Sequence, residues 1–136
     1  MALVHGKNTV VLIDAVDIST YVKKSEFSRE IDEHDVTTYG RNSHVVRGGL
    51  LGGKFTMDGV YDSTAVSGPR AKLNALINAG VNVTLIRRPE GTGSGKPEDE
   101  VSVLVKSYVE TNPVDDFVAW SCECTLAGDV DSTAQS

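Results

Sequence analysis

Cysteine is nearly missing from this chain: Cys122 and Cys124 are the only two in 136 residues. One residue separates them, so in a strand both side chains share a face about 7 Å apart, which suits neither an ordinary disulfide nor half of a zinc site. Two ligands without a third and fourth make no structural zinc centre. They are expected to be buried small apolar residues, in keeping with a reducing origin. Long apolar runs are missing too. Nothing approaches the roughly 18–20 residues that span a bilayer, so no membrane partner is expected. The opening MALVHGKNTV has too short an apolar stretch for a signal peptide, and export by that route is not expected. Positive charge is also in deficit. Thirteen Lys and Arg face nineteen Asp and Glu, a net charge of −6, which argues against a basic surface gripping phosphates. DNA passing nearby without being held stays compatible, since a mildly acidic wall repels it.

What is present is the composition of an ordinary globular domain. Hydrophobic residues make up 40% and charged residues 24%, and the length predicts one domain over residues 1–136. The pattern is mostly strands. Residues 9–13 form a β-branched run, and a tight turn at Asp14 and Ala15 returns it through residues 16–19. In residues 25–31, Phe27 and Ile31 oppose Glu26, Ser28 and Glu30. In residues 54–61, Phe55, Met57 and Tyr61 oppose Lys54, Thr56 and Asp58. Such alternation predicts antiparallel strands with one face on a core.

One helix interrupts the strands. Ser67 is placed to cap it, Pro69 suits its first turn, and Gly80 suits its end. Leu73, Leu76 and Ile77 then form a narrow apolar stripe. Further strands are expected over residues 81–88, with Val81, Val83 and Leu85 on one face, and over the valine-rich residues 101–109. A last strand over residues 117–126 places Val118, Trp120, Cys122, Cys124 and Leu126 on one face. Residues 90–100 read as a flexible polar loop. Residues 1–8 read as an N-terminal arm, and residues 129–136 as a mobile tail.

No reactive constellation emerges, so neither enzyme nor cofactor chemistry is expected. Residues 91–96, GTGSGK, fail the phosphate-loop pattern twice: Glu90 stands where glycine is needed, and Pro97 where Ser or Thr would hold magnesium. His34 lies among Asp32, Glu33 and Asp35, but strand alternation splits those acids between faces, as in a solvated segment. No serine or cysteine comes with an identifiable base. Asp115 and Asp116 fall in a turn, where they satisfy local backbone donors.

The unusual stretch is the connector over residues 37–53. It is long for a small domain, carries Gly40, Gly48, Gly49, Gly52 and Gly53, and holds Tyr39, Val45, Val46, Leu50 and Leu51 among them. Glycines allow sharp turns and close backbone approach. Leaving Leu50 or Leu51 in water costs roughly 1.5–3 kcal/mol each. Either they meet a neighbouring molecule or they fold back onto their own core. Arg41 and Arg47 are placed to pair with acids on a neighbour, giving register more than affinity.

The segment from Asp17 to Asp62 resembles the tail tube (major tail) proteins of long-tailed bacteriophages. Asp17-Ile18-Ser19, DVTTYG at residues 35–40, Gly49-Leu50 and FTMDGVYD at residues 55–62 carry the resemblance. It implies a mainly β fold, an antiparallel β-sandwich or barrel-like domain with one flanking helix and a long assembly loop. It implies self-assembly into hexameric rings stacked as a tube for DNA passage, with an acidic lumen that the −6 balance permits, and contacts to other tail proteins. It further implies a location in the virion tail, after synthesis in the host cytoplasm. Tyr39, Arg41, Arg47, Leu50 and Leu51 then become subunit contacts, with the N-terminal arm and C-terminal tail secondary. A capsid decoration or head–tail connector protein, and a cellular β-sandwich binding module, are the alternatives.

Overall fold

The computed structural model describes residue 3, residues 5–62 and residues 68–135. Its first hairpin joins Val10–Ile13 (β1) to Val16–Asp17 (β2). Asp14 and Ala15 make the turn with φ angles of 50° and 65°, the doubly left-handed pair that matches strand twist. The tight turn expected at these two residues is therefore present. A short 3-10 turn, Ser19–Tyr21, follows. There the Ser19 hydroxyl accepts a hydrogen bond from the Val11 amide at 2.8 Å.

Two long strands come next, Val22–Asp35 (β3) and Val46–Val60 (β4), paired antiparallel along their length. The helix Pro69–Ala79 (α1) starts with proline in its first turn and ends at Gly80, left-handed at φ 64°, whose amide bonds back to the Leu76 carbonyl. Ser67, expected as its cap, lies outside the described residues. Val83–Arg88 (β5), Pro97–Thr111 (β6), Ala119–Leu126 (β7) and Asp131–Ala134 (β8) complete the chain.

The strands form one sheet in the order β2-β1-β5-β6-β7-β4-β3, with β8 also on β6. β6 is the pivot. Its first half lies between β5 and β8, and from Val103 onward it pairs with β7. The sheet curls around a single core in which Val11, Ile13, Leu85, Val101, Val103, Phe55, Trp120 and Cys124 pack with Leu73 and Leu76 of α1. This mainly β, antiparallel architecture with one flanking helix is the fold class expected above.

A bulge in β6 redirects its faces. Val105 pairs with Cys124 but Ser107 pairs with Glu123, so Lys106 is an extra residue and the alternation slips by one. Val109 is thereby turned outward, and Tyr108 turned inward with its ring 6.1 Å from that of Trp120. Burial raises the Tyr108 phenol well above its ordinary pKa, and the Glu110 carboxylate beside it adds to the shift.

Several expectations are corrected. Val81 is exposed and precedes β5, because the chain leaves the left-handed Gly80 before pairing resumes at Val83. Phe117 is likewise exposed, in the turn ahead of β7. The C-terminal segment, expected to be mobile, forms β8 on β6 and ends in a buried Gln135. Its side chain accepts from the Gly93 amide and donates to the Gly91 carbonyl, and its backbone pairs with Gly95 and Lys96. The glycine loop expected to be flexible is therefore latched, and the amides of Gly91, Gly93, Gly95 and Lys96 are occupied. Cys122 and Cys124 are buried and free as expected, but their Sγ atoms lean to 3.8 Å instead of standing about 7 Å apart. The hydrogen bond with the neighbouring Cys124 thiol, and then burial, push Cys122 far above its usual pKa.

Candidate assembly interface

The stretch expected as a loop over residues 37–53 is a loop only between β3 and β4, over residues 36–45; Val46 onward is strand. Phenylalanine anchors the body end of this hairpin: Phe27 pairs with Phe55, their rings 6.2 Å apart, and Phe55 is fully buried. Past Lys54, which pairs with Thr125, β4 loses β7 as a neighbour, and residues 46–53 pair with β3 alone. Beyond this point the hairpin is a two-stranded arm. Every residue from Arg29 to Arg47 is exposed except the half-buried Val45.

The arm keeps the side-chain alternation of the core it has left. Directly paired residues share a face, so Phe27 with Phe55, Ile31 with Leu51, and Asp35 with Val46 continue one stripe outward. A bulge between Ile31 and Glu33 is the only break in that run. Ile31 was expected on the core; the alternation is right, but the core ends at Phe27 and Ile31 is 55% exposed. Leu51 at 62% and Leu50 at 79% exposure lie on the arm as well, so neither leucine folds back onto its own core.

The glycines of β4 serve this ribbon more than they serve turns. A Cβ at Gly48 would run into Ile31, and one at Gly49 into His34. Those two β3 side chains lie flat across the facing strand. Gly53, at φ 153°, occupies a region closed to other residues, and a Cβ there would strike the Ser28 carbonyl oxygen.

The tip is held by Asp35. Its Oδ1 accepts from both the hydroxyl and the amide of Thr37, at 2.6 and 2.9 Å, and the Thr37 hydroxyl accepts from the Val45 amide at 2.8 Å. The hydroxyl bond, then the amide bond, lower the Asp35 pKa. His44 lies 3.5 Å from the same carboxylate. Tyr39 and Arg41 sit on the exposed tip, and Arg47 sits at its base opposite His34. All five residues expected at an interface are thus on one arm. At its root, Ile31, Leu51, Leu126 and Val130 line a groove of about 260 Å³ rimmed by Arg29 and Asp129.

Two other features escaped the sequence reading. The turn over residues 112–118 exposes Val114 completely and Phe117 by 83%; two apolar side chains flanking Asp115-Asp116 were the available signal. The sheet also has open edges. β3 ends the strand order, and residues 104–111 of β6 pair with β7 on one side only among the described residues. Among those residues no group of three or more His, Cys, Asp and Glu could hold a metal, and no helix is long and apolar enough to cross a membrane.

No family model and no curated protein matches the sequence. Solved structures do match its fold. A chain in the virion of a native gene transfer agent particle superposes with a TM-score of 0.81 at 13% identity, covering 97% of this chain and 100% of that one. A chain in the tail of an empty gene transfer agent particle, refined with C6 symmetry, gives 0.78 at 14%, covering 97% and 100%. The SPP1 tail tube gives 0.76 at 9%, covering 98% and 80%. At such identities the likeness is one of fold.

Proposed function

We propose that this chain is a structural subunit of a phage-like tail tube, with copies closing into hexameric rings that stack into a conduit for DNA. The observation that carries the reading is the β3–β4 arm itself, a two-stranded ribbon that leaves the core at Phe27 and carries Ile31, Leu51 and Val46 into solvent among Arg29, Glu33 and Asp35. An isolated two-stranded ribbon is marginal in water and needs a covering surface. The neighbours of like fold come from tails and a tail tube, which supports supplying that surface from further copies.

Ring closure has a physical route in the same sheet. Among the described residues, the outer edge of β3 and the edge of β6 beyond Val103 each lack a paired strand, a liability that edge-to-edge pairing around a ring removes. The two edges differ, so their pairing is heterologous, and heterologous contacts close into rings when the rotation allows. Tyr39, Arg41, Arg47, Leu50 and Leu51 serve contacts between subunits in this reading. DNA passes without being held, as the net charge of −6 favours. The protein acts in the virion tail alongside other tail proteins and has no enzymatic role.

Negative-stain microscopy of the purified chain at high concentration tests the proposal. Six-fold rings and tubes are expected. Monomers at every concentration, or trimers that assemble only on added capsids, would overturn it.

A further inference from the structure

Cys122 and Cys124 are the only thiols of the chain, and neither belongs to the assembly arm. Both lie in the core, 3% and 0% exposed. One residue apart on β7, they are held extended from both sides. On β4 the partners of residues 122–124 are Met57, Thr56 and Phe55, and on β6 Tyr108 and Val105 oppose the two cysteines. A disulfide needs Cβ atoms about 3.5–4.5 Å apart, whereas alternate residues of an extended strand stand about 7 Å apart. The Sγ atoms already lean to 3.8 Å, which is van der Waals contact. Closing the gap to a bond of about 2 Å requires the backbone of residues 122–124 to contract. Contraction breaks the ladder on both flanks, including the pairing of Cys124 with Phe55 at the root of the arm.

We propose that this pair makes folding redox-gated: the dithiol folds, the disulfide is excluded from the folded subunit, and folding seals the dithiol against oxidation. In the unfolded chain the two thiols meet freely, and a low-molecular-weight disulfide is the oxidant. One cysteine thiolate attacks it, forming a mixed disulfide and releasing one thiol. The second cysteine thiolate attacks the protein sulfur of that bond, closing the internal disulfide and releasing the other thiol. Two protein thiols are oxidised, the external disulfide is reduced, and both protons leave with the released thiols. In the folded subunit the first attack fails. Neither sulfur is within reach of the oxidant, and the bond with Cys124, then burial, hold the Cys122 thiol protonated, whereas the thiolate is the nucleophile. The exclusion is reciprocal. Whatever stability the disulfide takes from the fold, the fold returns as ease of reducing the disulfide.

The full-length wild type tests this in oxidised glutathione, native in one sample and unfolded in urea in the other. Mass spectrometry separates an internal disulfide from a glutathione adduct, and circular dichroism follows refolding on dilution. The unfolded sample is expected to lose the mass of two hydrogens and to recover about tenfold less native signal than a reduced control, with dithiothreitol restoring it. The native sample is expected to keep both thiols, oxidising about a hundredfold more slowly. Equal oxidation rates in the two samples overturn the proposal, as does an oxidised chain that regains the native signal without reductant. A glutathione adduct in place of the internal bond overturns it too. The thiol-free chain Cys122→Ala/Cys124→Ala should refold equally with and without the oxidant, and a loss there sinks the assignment to this pair. Should that chain not fold, the dithiothreitol rescue of the wild type decides the same point. None of these readouts needs rings or tubes, so failure here leaves the tube reading untouched, and failure of that reading leaves the gate untouched.

Discussion

The Arg87 guanidinium on β5 lies 5.3 Å from the centroid of the Phe27 ring on β3, although β6, β7 and β4 separate those strands in the sheet. In a flat sheet four strand spacings would hold them about 19 Å apart. The contact therefore shows that the sheet curls until β3 approaches β5. Arg87 also donates to Asp99 at 2.8 Å, and Asp99 in turn binds the Ser132 hydroxyl.

Removing that clasp should loosen the whole curl. Arg87→Ala is expected to lower stability by about 1–3 kcal/mol, from the lost cation–π contact and the Asp99 carboxylate left with Ser132 alone. Arg87→Lys should recover only part of it, because an ammonium lacks the planar fork. Urea unfolding with an unchanged m-value checks this; a variant within 0.5 kcal/mol of wild type, about the range of a neutral surface change, would contradict it.

Gly53 sets where the arm departs from the body. Gly53→Ala is expected to cost about 1–3 kcal/mol, since alanine cannot hold this backbone conformation without displacing the Ser28 carbonyl. Hydrogen exchange should report faster exchange across residues 29–35 and 46–53 than in the core strands. Uniform protection along β3 would count against the assignment.

Gln135 is the plug of the C-terminal latch. Gln135→Ala removes the bonds to Gly91 and Gly93 and is expected to cost about 1–2 kcal/mol. Amide exchange should rise in residues 91–96 and in β8 and stay unchanged in β7. If residues 91–96 exchange no faster in the variant, the loop is held by something other than Gln135.

The arm's leucines should matter to the assembly and hardly to the fold. Leu50→Ser and Leu51→Ser are expected to shift the stability of the single subunit by less than about 0.5 kcal/mol, the usual range for exposed positions. The same changes should suppress tubes in the microscope. A large loss of stability would mean the leucines already have a partner within the subunit.

The Asp35 bonds to Thr37 give the tip an acid limit. Because the folded pKa is lowered from 3.8, the stabilisation is complete at pH values well above that and is lost as pH falls through 3.8 and below. Carboxyl chemical shifts followed by NMR should place the Asp35 midpoint under that of a model aspartate, and Thr37→Ala should move it back up.

Much of the fold was legible because local chemistry and final structure agree. The Asp14-Ala15 turn, the helix between Pro69 and Gly80, and the buried face of Trp120, Cys122 and Cys124 follow from turn residues, caps and two-residue periodicity. The misreadings share a cause. Val46 to Gly53 looks like loop because glycine has no strand propensity, yet two of those glycines exist to receive Ile31 and His34 from the facing strand. Gln135 is polar and near the end of the chain, and only the folded loop shows what it plugs. The bulge at Lys106 leaves no mark in a run of valines. Tyr39, Arg41, Arg47, Leu50 and Leu51 share an arm because the connector, marked in the sequence by its length and by apolar side chains among glycines, is the end of the β3–β4 hairpin. Phe117 was assigned to a strand because nothing local distinguishes an aromatic entering a strand from one displayed before it.

The position of the arm at one end of β7 and of the turn at the other has a consequence for any filament built through them. Such a filament is polar. One terminus displays unfilled arms with Arg41 at the tip, the other unfilled turns with Asp115 and Asp116. Growth at the two termini need not run at one rate, and no single cap fits both.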